Sequence, residues 1–174
     1  MRAIIYSAGP SMRRWIASGL HEQHAKEPMR IGINDAFRTL PDRWCHWCAS
    51  GDILAYRPSY TVNRPLVGFC CLTSEYLEEI ASHGWGGVAI TWGDLPALRR
   101  VHTPSWSIIA AIALADKLGA RDIAIYGWDM AIGHTRSDGS VYDHERARKE
   151  MRELCEIKTA ISGSITIVNT KEDA

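Results

Sequence analysis

The sequence predicts a single α/β domain in which helices cover both faces of a mainly parallel β-sheet. Two observations support this prediction. Short apolar runs typical of buried strands alternate with helix-like stretches along the whole chain, which is the pattern of parallel strands joined by crossover helices. A length of 174 residues also suits one domain with one core. We therefore expect residues 1–174 to form one Rossmann-like domain.

Turn residues separate the elements of the first half of the chain. We expect strands over residues 3–7, 30–34 and 44–50. Ser11 is expected to open a helix that runs to about residue 20, because serine is a frequent helix-capping residue. The pattern further along predicts a short helix over 74–81 and short strands near Val67 and Val88.

The second half begins with a strongly apolar helix. Thr103 is the expected N-cap and Pro104 the expected first helical residue. The stretch 108–118 is apolar on almost every side, so we expect this helix to be buried on the sheet, with Gly119 ending it in a left-handed conformation. A buried strand is predicted over 123–126. A last helix and a strand over 165–168 follow, and five apolar residues predict the buried face of that helix: Ala147, Met151, Leu154, Ile157 and Ile161.

Composition excludes several classes of function. Twenty basic and twenty acidic residues give zero formal charge, without the basic stripe typical of nucleic-acid binding, so no nucleic-acid partner is expected. No stretch approaches the roughly 20 apolar residues of a membrane span, and the first residues do not read as a signal peptide. Five cysteines, an odd number, favour reduced thiols and a cytoplasmic location.

Two patterns that resemble metal sites are interpreted as structural. The Cys-x-x-Cys motif at 45–48 falls in a strand-like run, where residues three apart face opposite sides of the sheet. The adjacent cysteines at 70–71 should diverge for the same reason. His21 and His24 lie near an expected helix end and are expected to face solvent. No metal site is predicted.

The loop after the first strand has features of a phosphate site. Gly9 permits close approach of the backbone to a ligand, and Pro10 and Ser11 lie where the first helix opens. Unpaired N–H groups at a helix N-terminus attract anions. A tight turn capped by serine explains the same three residues equally well.

Polar residues also follow the later strands. Asn34 and Asp35 come after the second strand, Asp52 after the third, and Asp129 after the strand over 123–126. Since the carboxyl ends of parallel strands meet at one edge of the sheet, these residues are expected to converge on a nucleotide-type ligand. An Asn there can donate to and accept from a base or ribose; an Asx turn is the alternative interpretation.

A loop before the last helix contains candidate catalytic side chains. His134, Tyr142 and His144 lie in a segment that also contains Gly, Ser and Asp. A histidine titrates near neutral pH and suits the role of general base. A solvated loop without catalytic function remains the alternative.

The order of these motifs resembles the bacterial lipooligosaccharide sialyltransferases and the wider group of proteins related to 6-hydroxymethylpterin diphosphokinase. The resemblance rests on the Gly-Pro-Ser turn at 9–11, on Asn34, on Ser105 before the apolar helix, and on the stretch 118–129 with its Gly-x-Asp ending. It implies a cytidine nucleotide held by Gly9, Pro10, Ser11, Asn34 and Ser105. His144 would then be the catalytic base, and Tyr142 would assist the leaving phosphate. Ser105 is followed by Trp106 where the family has glycine, and the chain is shorter than those transferases.

Three functions follow as hypotheses. The first is a glycosyltransferase-like enzyme whose donor substrate is a nucleotide sugar, with a CMP-sugar favoured. The second is transfer of diphosphate from ATP, which would need Mg²⁺ held by three carboxylates: Asp35, Asp52 and Asp129. The third is a non-catalytic nucleotide-binding accessory protein. The sequence leaves the oligomeric state open, and exposed sheet edges are compatible with a homo-oligomer.

Overall fold

A parallel β-sheet of seven strands organises the chain in the computed structural model. The structure describes residues 1–51, 64–104, 106–130, 132–133 and 141–168. The strands are β1 (Arg2–Tyr6), β2 (Met29–Ile33), β3 (Trp47–Ser50), β4 (Gly68–Cys71), β5 (Val88–Thr91), β6 (Asp122–Tyr126) and β7 (Ser164–Val168). Their order is β5-β4-β3-β2-β1-β6-β7, and every neighbouring pair is parallel. The predicted α/β, Rossmann-like class is confirmed.

Five α-helices accompany the strands in the described ranges. They are α1 (Pro10–Ala17), α2 (Asp35–Thr39), α3 (Ser74–Ser82), α4 (Ser107–Lys117) and α5 (His144–Ala160). Three 3₁₀ segments join them: Leu20–His24, Trp92–Asp94 and Pro96–Arg100. No helix of the described part is long and apolar enough to cross a membrane.

The helices divide between the two faces of the sheet according to the direction in which strands are added. From β1 to β5 the chain moves one way across the sheet, and β6 returns to the other side of β1. Right-handed crossovers therefore put α1, α2 and α3 on one face and α4 and α5 on the other. The central strand shows the alternation: Ala3 and Ile5 belong to the α4–α5 core, while Ile4 and Tyr6 belong to the α1–α3 core.

Helix α4 is enclosed by the core, as its apolar sequence predicts. All residues from 107 to 115 are buried, and Gly119 follows with a φ of +90°, the expected left-handed conformation. The start of the helix differs from the prediction. Its first hydrogen bonds reach the carbonyl oxygen of Trp106, so assigning Thr103 and Pro104 to the N-cap and first turn is wrong. The helix begins where its apolar side chains first reach the sheet, and packing outweighs the local capping signal.

Helix α5 packs on the sheet with part of the face that its apolar residues predict, since Leu154 and Ile157 are buried and Ile161 packs against the core. Its buried residues are Glu150, Glu153, Leu154 and Ile157. Met151, predicted to be in the core, is 40% exposed. The prediction is wrong here because it counted only apolar residues, whereas two carboxylates occupy the stripe that packs on the sheet.

The cysteines follow the strand geometry only in part. Cys70 and Cys71 lie in opposite cores, as adjacent strand residues should. Cys45 and Cys48 both lie in the α1–α3 core, so the expectation that they face opposite sides is wrong. Strand β3 begins only at Trp47, and alternation therefore does not extend back to Cys45.

His21 and His24 are buried, so the expectation that they face solvent is also wrong. They are three residues apart in the segment Leu20–His24, and a 3₁₀ turn brings residues i and i+3 to one side. That side packs on the α1–α3 face of the sheet. The ring of His24 lies 5.3 Å from Trp15 and 4.6 Å from Tyr126, centroid to centroid.

The surroundings of His24 favour its neutral form. Tyr6 Oη lies 3.1 Å from His24 Nδ1 and also accepts a hydrogen bond from Trp44 Nε1 at 3.3 Å. Burial lowers the pKa of His24 from 6.5 to about 4, and the positive charge of Arg2 adds to this effect.

Acid should therefore destabilise the fold through His24. The unfolded chain takes up this proton below pH 6.5, whereas the folded protein resists protonation until about pH 4. The contribution of neutral His24 to the free energy of unfolding is complete above pH 6.5 and is lost as the pH falls towards 4. We expect the free energy of unfolding to fall by up to about 1.4 kcal/mol per pH unit in that window from this group. Urea unfolding at several pH values measures it.

The variant His24→Gln should flatten this pH dependence, while His102→Gln, at an exposed position, should retain it. An unchanged slope in His24→Gln would show that another group binds the proton.

Candidate functional site

The carboxyl ends of the strands gather the polar residues that the sequence identifies. In open α/β sheets a ligand crevice forms where the strand order reverses. Here that point lies between β1, which continues to β2, and β6 on its other side. Two clusters of polar contacts occupy this edge of the sheet, and a third group connects α4 with α5.

Hydrogen bonds join the loop after β1 to the loop after β6. Asp129 accepts two hydrogen bonds from Ser11, one from the backbone N–H at 2.7 Å and one from the hydroxyl at 2.6 Å. Gly9 N–H also donates to the carbonyl oxygen of Gly127 at 2.9 Å. Gly9 is the N-cap of α1, and Pro10 begins the helix one residue before the predicted Ser11. The Asp129 carboxylate thus occupies the position at the start of α1 where an anion would bind.

Gly9 is required by the packing of these two loops. A Cβ at this position would lie against the Gly127 carbonyl oxygen and 2.7 Å from Asp129 Oδ2. Close approach of backbone, the property for which the sequence singles out Gly9, therefore serves the contact between the loops. The structure brings Gly9, Ser11 and Asp129 together, as the strand ends predict, and joins Ser11 to Asp129 by hydrogen bonds.

A second set of contacts, here named the Asn34 cluster, joins Asn34, Ser50, Gly51 and Ser107. Asn34 Oδ1 accepts from Ser50 Oγ at 2.8 Å and from Ser107 Oγ at 3.2 Å. Ser107 Oγ in turn accepts from Gly51 N–H at 2.9 Å. Because that N–H occupies a lone pair of the Ser107 oxygen, the hydroxyl proton is available for Asn34. The cluster thus connects the ends of β2 and β3 with the start of α4.

Asn34 has an unusual backbone conformation. Its φ of +44° and ψ of −122° lie in a region that non-glycine residues rarely adopt. The turn is tight because β2 ends at Ile33 and α2 begins at Asp35. Strained residues of this kind concentrate at functional sites. The turn holds the half-buried side chain of Asn34 at the end of the strand.

The amide nitrogen of Asn34 is available to a ligand. Both serine hydroxyls reach Oδ1, and Nδ2 has no hydrogen-bond partner within the described ranges. Beside the cluster, the ring of Trp92 packs on Gly51, 3.2 Å from where a Cβ would be. Trp92 is 7% exposed and belongs to the α4–α5 core, so its ring supports Gly51 from the interior.

The third group surrounds a buried carboxylate on α5. Glu150 Oε2 accepts from Trp128 Nε1 at 2.8 Å and from Tyr142 Oη at 2.7 Å. Its Oε1 lies 3.6 Å from Arg146 Nε, and the guanidinium of Arg146 stacks 3.9 Å from the centroid of Trp106. The sequence does not predict Glu150 or Arg146 as site residues. The signal in the sequence that could have identified them was the presence of acidic residues on the core-facing side of an amphipathic helix.

The predicted catalytic residues are placed differently from one another. Tyr142 is buried and its hydroxyl donates to Glu150. His144 is exposed at the first position of α5 and lines a shallow hollow with Ala147, Arg148 and Met151. The residues that line this hollow lie on a different side of the helix from Arg146 and Glu150. Among the described residues, no contact joins His144 to the Asn34 cluster.

Several predicted site residues lie outside the described residues: Asp52, Ser105 and His134. The same holds for the side chain of Asp35, whose backbone begins α2. Ser107 is the described serine at the start of the apolar helix that contacts Asn34. Within the described residues, no group of three or more His, Cys, Asp or Glu side chains could hold a metal ion.

The fold and this site define an α/β, Rossmann-like domain with polar clusters at the carboxyl edge of its sheet. Comparison with protein-family models, with curated proteins and with solved structures finds no match to this chain.

The bond between Asp129 and Ser11 should contribute measurably to stability. Replacement of Asp129 by Ala leaves the Ser11 N–H, the first in α1, and the Ser11 hydroxyl without this acceptor. We expect the free energy of unfolding to fall by about 1.5–3 kcal/mol, the range for hydrogen bonds to a charged group. Chemical denaturation measures the change. Asp122→Ala is the control, because its exposed ion pair with Arg2 is worth about 0–1 kcal/mol. Equal effects of the two variants would contradict the assigned role.

Proposed function

We propose that this protein binds a nucleotide at the Asn34 cluster and uses a nucleotide sugar as the donor in a glycosyltransferase-like reaction. The observation that carries the proposal is the Asn34 amide, whose oxygen is held by two hydroxyls and whose nitrogen has no partner among the described residues. A strained backbone conformation keeps this amide at the end of β2. Such strain persists only where the surrounding structure enforces it.

The chemistry of the cluster supports a base or ribose as the group recognised. Asn34 Nδ2 offers two N–H donors and no acceptor, so it matches a ligand edge made of acceptors. Cytosine presents O2 and N3 as adjacent acceptors, whereas uracil carries a hydrogen on N3. This agrees with the cytidine nucleotide implied by the resemblance to the sialyltransferases.

A melting-temperature screen with CMP, UMP, GMP and ATP tests the binding. Ligand at one hundred times its Kd stabilises the native state by about 2.7 kcal/mol, which for a domain of this size raises Tm by roughly 5–10 °C. We expect the largest shift with CMP. Absence of a shift with every nucleotide at millimolar concentration would overturn the proposal.

Asn34→Asp locates the binding site. It keeps the acceptor oxygen and the size of the side chain but removes both N–H donors. We expect CMP affinity to fall at least about tenfold, the effect of losing one to two hydrogen bonds, with an unchanged melting temperature of the free protein to within a few degrees. Gln23→Glu, which makes the same change from amide to acid at an exposed position, is the matched control.

A non-catalytic nucleotide-binding protein is the second candidate. Two contacts favour it: the Tyr142 hydroxyl is donated to Glu150, and Asp129 fills the position at the start of α1. In the transferase, a leaving phosphate would need the Tyr142 hydroxyl and the donors at the start of α1, which these two contacts occupy.

His144→Ala separates the two functions. If His144 is the base that deprotonates an acceptor, donor turnover should fall about 10²- to 10⁴-fold while CMP affinity stays within twofold. His102→Ala, also at an exposed position, is the control. If His144→Ala leaves turnover of the donor sugar unaffected, His144 is not the base. If the wild type shows no turnover, the non-catalytic protein is favoured.

A further inference from the structure

Ser107 lies buried between the ends of β2 and β3 and has two hydrogen-bond partners there. It is the first residue of α4. Its hydroxyl oxygen accepts from Gly51 N–H at 2.9 Å and lies 3.2 Å from Asn34 Oδ1. A serine hydroxyl has a single proton to donate. Within the described part of the chain, Asn34 Oδ1 is the acceptor for that proton.

This contact determines which end of the Asn34 amide faces the serines. The oxygen of an amide accepts hydrogen bonds, whereas its nitrogen donates two. Ser50 Oγ donates to the same Oδ1 at 2.8 Å. If the amide were rotated by half a turn, Nδ2 would face the hydroxyls and the buried Ser107 proton would lose its acceptor, which is costly. The hydroxyls therefore hold Oδ1 towards the serines and direct Nδ2 away from them.

The backbone and the hydroxyls fix different properties of Asn34. Its conformation, with a φ of +44°, sets where the side chain leaves the end of β2. The last side-chain torsion of an asparagine is broad and roughly two-fold, so the backbone does not decide between the two amide orientations. That choice falls to the hydroxyls. Ser107 is well suited to make it, because α4 is buried from residue 107 to 115 and its first turn cannot shift.

The orientation of the amide decides which pyrimidine fits beside it. An outward Nδ2 offers donors to the adjacent O2 and N3 acceptors of cytosine. Uracil carries a hydrogen on N3, so the same Nδ2 would set a donor against a donor. A rotated amide would present Oδ1 instead and could accept from uracil N3–H. Selection between the two bases therefore depends on groups that contact Asn34 rather than on Asn34 alone.

We infer that Ser107 is a positioning residue that sets the base selectivity of the nucleotide site, and that it does so with Ser50 by fixing the orientation of the Asn34 amide. This inference rests on the proposed function, since it concerns the base that is proposed to contact Asn34. Ser107 acts through Asn34 and has no contact with the ligand in this assignment. The ligand class is a nucleotide whose base presents adjacent acceptors, which favours cytosine over uracil.

Calorimetric titration of the full chain with CMP and with UMP tests the assignment. We expect the wild type to bind CMP at least about tenfold more tightly than UMP, the effect of one mismatched hydrogen bond. Ser107→Ala should lower this ratio at least about threefold, because one of the two hydroxyls that hold Oδ1 is lost. The double variant Ser50→Ala/Ser107→Ala should bring the ratio to within about twofold of unity, since the amide can then rotate to suit either base. Loss of a purely structural serine would weaken CMP and UMP equally and leave the ratio unchanged.

Ser74→Ala is the matched control. Ser74 is also the first residue of a helix, α3, and is exposed, so its replacement should change neither affinity. Where Ser107→Ala does not fold, Ser107→Cys decides by the same ratio. A thiol has nearly the shape of the hydroxyl but is a weak donor, so the preference for CMP should again decrease.

The outcomes separate this inference from the proposed function. A wild-type protein that binds neither CMP nor any other nucleotide overturns both. Equal wild-type affinity for CMP and UMP, or a preference for UMP, overturns this inference and leaves nucleotide binding in place. A wild-type preference for CMP that the double variant retains in full also overturns this inference alone.

Discussion

The hydrogen bonds between Asp129 and Ser11 determine how the carboxyl edge of this sheet can be used. In open α/β sheets the crevice at the reversal of strand order receives the ligand, and the helix after β1 supplies donors for phosphate. Here the carboxylate that follows β6 takes those donors itself. The loops after β1 and β6 are thereby joined at the reversal point, and the polar groups that remain for a ligand lie on the other side of β1, at β2, β3 and the start of α4.

Helix α4 makes this second location rigid. It is buried on every side from residue 107 to 115, so its first turn cannot shift without disturbing the α4–α5 core. Ser107 thus gives Asn34 a fixed hydroxyl, and Trp106 gives Arg146 a fixed aromatic face. Two neighbouring residues of one immobile helix start connect the Asn34 cluster with the charged group on α5. Preorganisation of this kind reduces the entropy lost when a ligand is bound.

The sequence predicts the fold and the meeting of the strand ends better than it predicts individual contacts. Parallel strands and the helix α4 follow from apolar runs, because burial on both sides leaves little choice of residue type. Asn34 and Asp129 follow from the rule that strand ends meet at one edge. The partners of those residues do not follow, since Ser107 reaches Asn34 and Ser11 reaches Asp129 only through tertiary packing. His24 shows the same limit: its burial depends on aromatic residues that come from α1 and β6.

The charged residues on the buried face of α5 connect this helix with neighbouring elements. A buried ion pair contributes little net stability, because removing two charges from water costs about as much as their attraction returns. Apolar residues at positions 146 and 150 would satisfy the core of an ordinary helix on a sheet. In this protein Glu150 instead collects donors from the β6 loop and from the start of α5, and it holds a guanidinium against Trp106. The carboxylate of Glu150 therefore joins the loop after β6 to the residues at the start of α5, and Arg146 joins them to the start of α4.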